Sequence, residues 1–250
     1  MNFIKKIINK LHTPAQPKET NNSQGNPPAA VTVQENPPQP KEIIDGQGNK
    51  INIDKSINYS VVIKGDNNSI EITAADSNER RQIDINITGN NNKIIIKTFR
   101  TAQLLVDIGN FSGVDNVEVE IQDNLTSAQV NIFAYQSNTP IRIGANCLFS
   151  REVNIRSGEV PHAIYDATTC EDLDKSEGIF IGDHVWIGEH AFILKKATIP
   201  SNCIVGAMSV VTKRFNEENV VIAGNPARIC KRNIMWNGDV KKTPFKKNNE

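Results

Sequence analysis

The sequence predicts an all-β solenoid, and three observations predict it. Between Ile181 and Val211 branched aliphatic residues recur at every sixth position: Ile181, Ile187, Ile193, Ile199, Val205 and Val211. Four residues after each of the first five stands a small or β-branched residue, namely Val185, Ala191, Ala197, Cys203 and Ser209. Period six matches neither a helix at 3.6 nor a lone strand at 2. It is the period of a parallel β-helix, in which six residues make one short side of a coil. Upstream, three blocks resemble one another: Gly46-Gln-Gly-Asn-Lys-Ile-Asn-Ile53, Gly65-Asp-Asn-Asn-Ser-Ile-Glu-Ile72 and Gly89-Asn-Asn-Asn-Lys-Ile-Ile-Ile96. Gly109-Asn110 opens a fourth, looser block. Gly and Asn tolerate the left-handed backbone of a turn, and the alternation that follows reads as a strand buried on one face.

The elements follow in chain order. Residues 1–12 read as an amphipathic helix, with Phe3, Ile4, Ile7, Ile8 and Leu11 on one face and Lys5, Lys6 and Lys10 largely off it. About three turns long, it is marginal alone in water. It docks on an anionic membrane face or a partner protein, or else folds onto its own domain. Residues 13–40, rich in Pro, Gln, Asn, Thr and Ser, read as a disordered tether. Residues 41–140 form the N-terminal solenoid extension, one coil per block.

A second hexapeptide stretch, Ile143, Phe149 and Ile155, with Cys147 and Val153 at the small positions, begins the domain 141–237. The register breaks after Gly158 and resumes at Ile181, so the loop 158–177 is expected to project from one edge of the coil. Long loops on rigid scaffolds are where function concentrates. Gly182, Gly188 and Gly206 mark tight corners. Residues 229–237 read as a short capping helix or an extended cover, and 238–250 as a flexible, lysine-rich tail.

Composition bounds the function. With 28 basic and 28 acidic residues the formal charge is zero, and no basic run carries interleaved aromatics, so nucleic acid is not an expected partner. A hydrophobic fraction of 38% is low for a globule but suits thin stacked coils that bury only inward residues. The four cysteines contain no Cys-x-x-Cys pair, so no metal site is expected, and Cys147 and Cys203 read as small apolar filler. No stretch is long enough to span a bilayer, and lysines interrupt every apolar run of the leader, so a cytoplasmic chain is expected.

His162 is the histidine of the projecting loop, within Arg156-Ser-Gly-Glu-Val-Pro-His-Ala-Ile-Tyr-Asp166. A neutral imidazole can take a proton from a hydroxyl near neutral pH, and Glu159 or Asp166 is positioned in sequence to orient it. His184 and His190 fall at outward positions of the repeat and read as surface residues. Trp186 precedes Ile187 and lies outside the coil core, facing an interface or a ligand. Lys213, Arg214 and Arg228 gather near the end of the repeat beside Gly206-Ala207 and Ala223-Gly224, a setting for a phosphate.

Ile181-Gly-Asp-His-Val-Trp-Ile-Gly188, Ile204-Val-Gly-Ala-Met-Ser-Val-Val-Thr-Lys213 and Ala223-Gly-Asn-Pro-Ala-Arg228 resemble the left-handed β-helix acetyltransferases. With the Ile155-Arg-Ser…His162-Ala-Ile-Tyr-Asp166 loop, the segment 141–237 is most similar to bacterial capsule and surface-polysaccharide O-acetyltransferases. The resemblance implies His162 as general base and Trp186 beside the acetyl thioester. It implies Gly188 and Ala207 against the pantetheine arm, and Lys213 and Arg228 near the adenosine 3′-phosphate of acetyl-CoA. It implies a homotrimer with acetyl-CoA and a glycan acceptor bound between subunits. Two residues depart from the family pattern: Glu159 stands three before the histidine, where the family carries Asp two before it, and Met208 replaces a glycine. With an amphipathic leader, a chain acting on surface polysaccharide is expected at the inner face of the bacterial inner membrane. An acetyltransferase of a small acceptor (antibiotic, nucleotide-linked amino sugar or serine) and a non-catalytic trimeric scaffold remain the alternatives.

Overall fold

The computed structural model describes residues 40–73, 82–173 and 175–238, all within one compact unit, Pro37–Glu250. The leader 1–12, most of the tether and most of the tail lie outside the described residues. The described chain holds strands and turns and no helix, wound into a parallel β-helix.

From Pro140 onward each coil is a triangle. Face 1 carries β11 (Leu148–Phe149), β14 (Trp186–Ile187), β17 (Ile204–Val205) and β19 (Val221–Gly224). Face 2 carries β12 (Val153–Arg156), β15 (Phe192–Leu194) and β18 (Val210–Val211). Face 3 carries β10 (Pro140–Ile143), β13 (Ile179–Ile181) and β16 (Thr198–Ile199). Below them, β2 (Lys50–Ile53), β4 (Ser69–Ile72), β6 (Lys93–Ile96) and β8 (Glu118–Ile121) continue face 3. The strands β1 (Lys41–Asp45), β3 (Asn58–Lys64), β5 (Gln82–Thr88), β7 (Phe99–Ile108) and β9 (Leu125–Ala134) continue the other sheet. β9 spans faces 1 and 2 at once, pairing Thr126–Ser127 with β11 and Val130–Phe133 with β12. Stacking in register puts like residues over like: Ile51, Ile70, Ile94, Val119, Ile141 and Ile179 form one column.

The hexapeptide reading holds residue by residue. All six period-six aliphatics and all five small residues, Cys203 and Ser209 included, are buried. All of them but the polar Ser209 belong to one hydrophobic core that runs continuously from Ile57 to Ala227, with each inward aliphatic contributing about 1.5–3 kcal/mol of transfer free energy. Ile143 pairs with Ile181, thirty-eight residues on, whereas Ile181 pairs with Ile199, eighteen on. The twenty extra residues are the excursion.

The three Gly/Asn blocks are successive corners between faces 2 and 3. A Cβ on Gly46 would lie 2.0 Å from the carbonyl oxygen of Gly65, and one on Gly65 would lie 2.1 Å from that of Gly89. The fourth block is displaced: the column continues through Val114, whose carbonyl faces Gly89, while Gly109 opens a wider turn. The corner glycines of the hexapeptides serve coil-to-coil approach. A Cβ on Gly188 would lie 2.5 Å from the nitrogen of Ala207. The left-handed backbone sits elsewhere in those corners, at His184, His190, Asn202 and Met208.

Inside the solenoid an asparagine ladder joins the coils. Asn49 Oδ1 accepts from the backbone N–H of Asn68, Asn68 Oδ1 from that of Asn92, and Asn92 Oδ1 from that of Val117. Asn68 and Asn92 are fully buried, so these side chains supply the partners that buried peptide groups require.

The expected C-terminal helix is absent. Ala227–Lys231 forms β20, antiparallel to β19, because the last parallel strand would otherwise present an open edge. Residues 232–238 then run as an extended cover, held by Ile234 N–H to Asn219 O and by the Arg232–Glu217 ion pair.

Candidate active site

Trp186 points outward from face 1 and is 38% exposed, with its Nε1–H donating to Ser150 Oγ at 3.3 Å. Outward on the same face, Leu148, Trp186 and Ile204 follow one another in register. The chain turns the corner to face 2 at Gly188 and, one coil on, at Gly206-Ala207. Ala207 is exposed, and Ala223 pairs with Arg228, whose side chain is exposed. Trp186, Gly188, Ala207 and Arg228 therefore line one edge of the solenoid, where Gly188 and Ala207 are small enough for a long ligand to lie against the backbone. Met208 stands at the left-handed position of that edge, 70% exposed (φ 58). Its side chain projects outward rather than into the coil.

The excursion leaves from a different edge, between faces 2 and 3. Its base is clamped. Arg156 Nε donates to Gly158 O at 3.0 Å and to Glu159 Oε2 at 3.1 Å, and its guanidinium lies 4.9 Å over the Tyr135 ring. The Tyr135 hydroxyl donates to Asp107 at 2.6 Å. Burial and that carboxylate push the phenol up from its ordinary pKa. Farther out, Tyr165 bridges Asp172 antiparallel and Leu173 N–H bonds Ile164 O, so the loop is a short projecting hairpin.

His162 lies on the near side of this hairpin, exposed, with its backbone N–H on Glu159 O at 2.9 Å. Neither expected partner orients the ring. The Glu159 carboxylate is taken by Arg156. The Asp166 carboxylate caps its own turn, accepting from the backbone N–H of Thr169 and Thr168, which hold it below the ordinary carboxylate range.

The residues singled out in the sequence thus fall into two groups. Lys213 stays with the excursion's edge: its carbonyl accepts from Thr198 N–H, and its ammonium lies 5.3 Å from the Phe215 ring centroid. Arg214 pairs with Glu177 at the return of the excursion. The cationic cluster expected from Lys213, Arg214 and Arg228 does not form, because β20 doubles back and carries Arg228 to the Gly188–Ala207 edge. No hydrogen bond or ring contact between described residues joins His162 to Trp186. Gly188 and Ala207 stack in successive coils.

Sequence reasoning missed the neighbours of His184. Asn124, Asn146, His184, Asn202 and Asn219 all hold left-handed backbone (φ between 54 and 64), each at the corner that precedes face 1. His184 is the one aromatic in this column, and Trp236 stacks on it with centroids 4.1 Å apart and planes 9° apart. The recurrence of Asn at that point of each coil was the available signal.

The four cysteines are free, Cys147 and Cys203 buried and Cys170 and Cys230 exposed. Among the described residues no group of His, Cys, Asp and Glu is arranged to hold a metal ion, and no helix is long and apolar enough to cross a membrane.

No family profile matches the chain. The polysialic acid O-acetyltransferase of Neisseria meningitidis is 32% identical over 191 residues, which cover 69% of this chain and 87% of that protein. The polysialic acid O-acetyltransferase of Escherichia coli O1:K1 is 30% identical over 96 residues, 38% of this chain and 31% of the relative's length. Among solved structures, the polysialic acid O-acetyltransferase OatWY superposes with a TM-score of 0.64 at 29% identity, covering 79% of this chain and 92% of the other. Fold, edge and relatives together define a left-handed β-helix acyltransferase. Within that class, the chain belongs to the polysialic acid O-acetyltransferase family.

Proposed function

We propose that this protein moves the acetyl group of acetyl-CoA to a hydroxyl of an acidic capsular polysaccharide of the polysialic kind. Supporting the acceptor are the relatives' names. The observation that carries the reading is the division of the candidate residues between two edges of one solenoid. Trp186, Gly188, Ala207 and Arg228 line one, and His162 stands on the other. In a homotrimer the second edge of one copy faces the first edge of its neighbour, so each site is completed by two chains. The coenzyme lies along Gly188 and Ala207, with Arg228 from one chain and Lys213 from the other near its phosphates. The thioester sits beside Trp186.

The chemistry follows from those positions. The His162 imidazole takes the sugar hydroxyl proton as the oxygen attacks the thioester carbonyl. A backbone N–H donor stabilises the oxyanion. The carbonyl re-forms, the C–S bond breaks, and the imidazolium gives its proton to the departing thiolate. The protein works in the cytoplasm, with residues 1–12 holding it to the inner face of the membrane or to the capsule-synthesis machinery.

The test is thiol release from acetyl-CoA by the full chain, with and without sialic acid polymers and neutral glycans. Release should depend on the acidic polymer, and His162→Ala should lower turnover by about 10²–10⁴-fold. Undiminished turnover in that variant removes His162 from the reaction. Release with small acceptors and not with polymer moves the activity to a small-molecule acetyltransferase.

A further inference from the structure

Beside Trp186, on the side away from the Gly188–Ala207 edge, face 1 holds a groove of about 230 Å³. Its wall is Trp236, fixed by stacking on His184 and by its Nε1–H donating to His184 O at 3.0 Å. Its floor and rim are Leu148, Thr126, Asn124 and Asn146. We propose that this groove is the acceptor subsite and takes one sugar ring of an anionic glycan, stacked on Trp236.

Four observations carry the proposal, which rests on the acetyl-transfer reading above. The first is the chemistry of the lining: an aromatic plane, an apolar floor and a ring of amide and hydroxyl groups match a pyranose, with its C–H face and equatorial hydroxyls. The second is that the wall is built. At one rung of a left-handed column otherwise made of asparagine, the chain carries His184, which keeps the column's polar link through Nδ1 to Asn202 Oδ1 at 3.1 Å while lending its ring to Trp236. A cover segment that only shielded the sheet would need no aromatic platform at that rung. The third is direction. Gly188, Ala207 and Arg228 lead away from Trp186 on one side and the groove opens on the other, with Trp236 only 6.1 Å from Trp186, centroid to centroid. An acceptor held there approaches the thioester from the side the coenzyme leaves free. The fourth is charge. Arg100 stands in register with Thr126 one coil below, exposed and without an ion-pair partner among the described residues. It supplies a cation for the carboxylate of an acidic sugar.

The experiment measures binding of sialic acid oligomers to the full chain by calorimetry, and acetyl transfer to the same oligomers, for wild type, Trp236→Ala, Trp236→Phe and His184→Asn. The asparagine variant keeps a residue the left-handed corner accepts, so folding is preserved while the platform is lost. Trp236→Ala and His184→Asn should each weaken oligomer binding and raise the acceptor KM by about tenfold or more. The KM for acetyl-CoA should stay within about twofold, and Trp236→Phe should retain most of the affinity. Wild-type affinity in both Trp236→Ala and His184→Asn overturns the subsite, as does a wild-type protein that binds no oligomer. Binding that depends on Trp236 without any acetyl transfer leaves the subsite standing and refutes the acetyl-transfer reading. Normal transfer with unchanged acceptor KM in the variants does the reverse.

Discussion

Truncating Asn92 to alanine tests how the coils are held together. Asn92 Oδ1 accepts the Val117 N–H at 2.9 Å, and Asn92 Nδ2 donates to Val114 O at 3.0 Å and to Asn68 Oδ1 at 3.1 Å. The side chain is 1% exposed, so water cannot replace these bonds without opening the coil. Asn68 Oδ1 keeps a donor in the backbone N–H of Asn92. The Val117 N–H keeps none, at about 1–3 kcal/mol, and the lost donor at Val114 adds about 1. The expected loss is about 2–4 kcal/mol, a large part of the roughly 5–15 kcal/mol typical of a folded domain. In a solenoid each coil couples to its neighbours alone, so the loss should concentrate between Gly89 and Ile121. Urea unfolding gives the magnitude and amide hydrogen exchange gives the place: the Val117 amide should pass from strongly protected to readily exchanging. Asn116→Gly is the control, one residue from Val117 but exposed at φ 60, and should cost under about 1 kcal/mol. A comparable loss in both variants, or a Val117 amide still protected in Asn92→Ala, would refute the ladder as the source of coil cohesion.

Three further outcomes follow from close packing and burial. Gly188→Ala places a methyl 2.5 Å from the Ala207 nitrogen, which moves only if two coils part; thermal unfolding should show a loss of about 1–3 kcal/mol, and an unchanged melting temperature would mean the edge is looser than drawn. Burial pushes the Cys147 thiol from 9.0 up to about 12, so at pH 8 a thiol reagent should modify Cys170 and Cys230 quickly and reach Cys147 and Cys203 only in denaturant. The same shift carries a sign: below about pH 9 both folded and unfolded thiols hold their protons, and from there to about 12 only the folded one does. Stability should therefore fall as pH rises through that window, and less steeply in Cys147→Ala; an equal slope in both proteins would assign the alkaline loss elsewhere.

The repeat was readable because its signal is local. One inward aliphatic every six residues reports a coil whatever the neighbours do, and Ile181 through Val211 are buried as the period requires. The length of the excursion was readable for the same reason, since a break in register counts its own residues. The displaced block at Gly109 was not, because β7 ends one position short of β5, with Ile108 on Ile87, and the inserted turn Gly109–Gly113 carries the corner on to Val114. The orienting partner of His162 was not legible in the sequence. Spacing along the chain places Glu159 and Asp166 near the imidazole, but Arg156 competes for the first and a local turn for the second. The grouping of Lys213 with Arg228 failed where β20 reverses direction. Trp236 lies 52 residues from the His184 carbonyl it bonds, and no period links the two.

Parallel coils stacked in register are the arrangement of a growing fibril, since each rung offers the next a complete row of peptide groups. The two described ends of this solenoid act as terminators. At the top, β20 runs against the sheet, so a parallel rung from another molecule meets a strand of the wrong polarity. At the bottom, Glu42 of β1 stands in register below the fully buried Val61, with its carboxylate accepting from the Tyr59 hydroxyl at 2.7 Å. Another copy added there would have to bury that charge in the lumen. The chain thus has the rung of an indefinite polymer and the length of a single molecule.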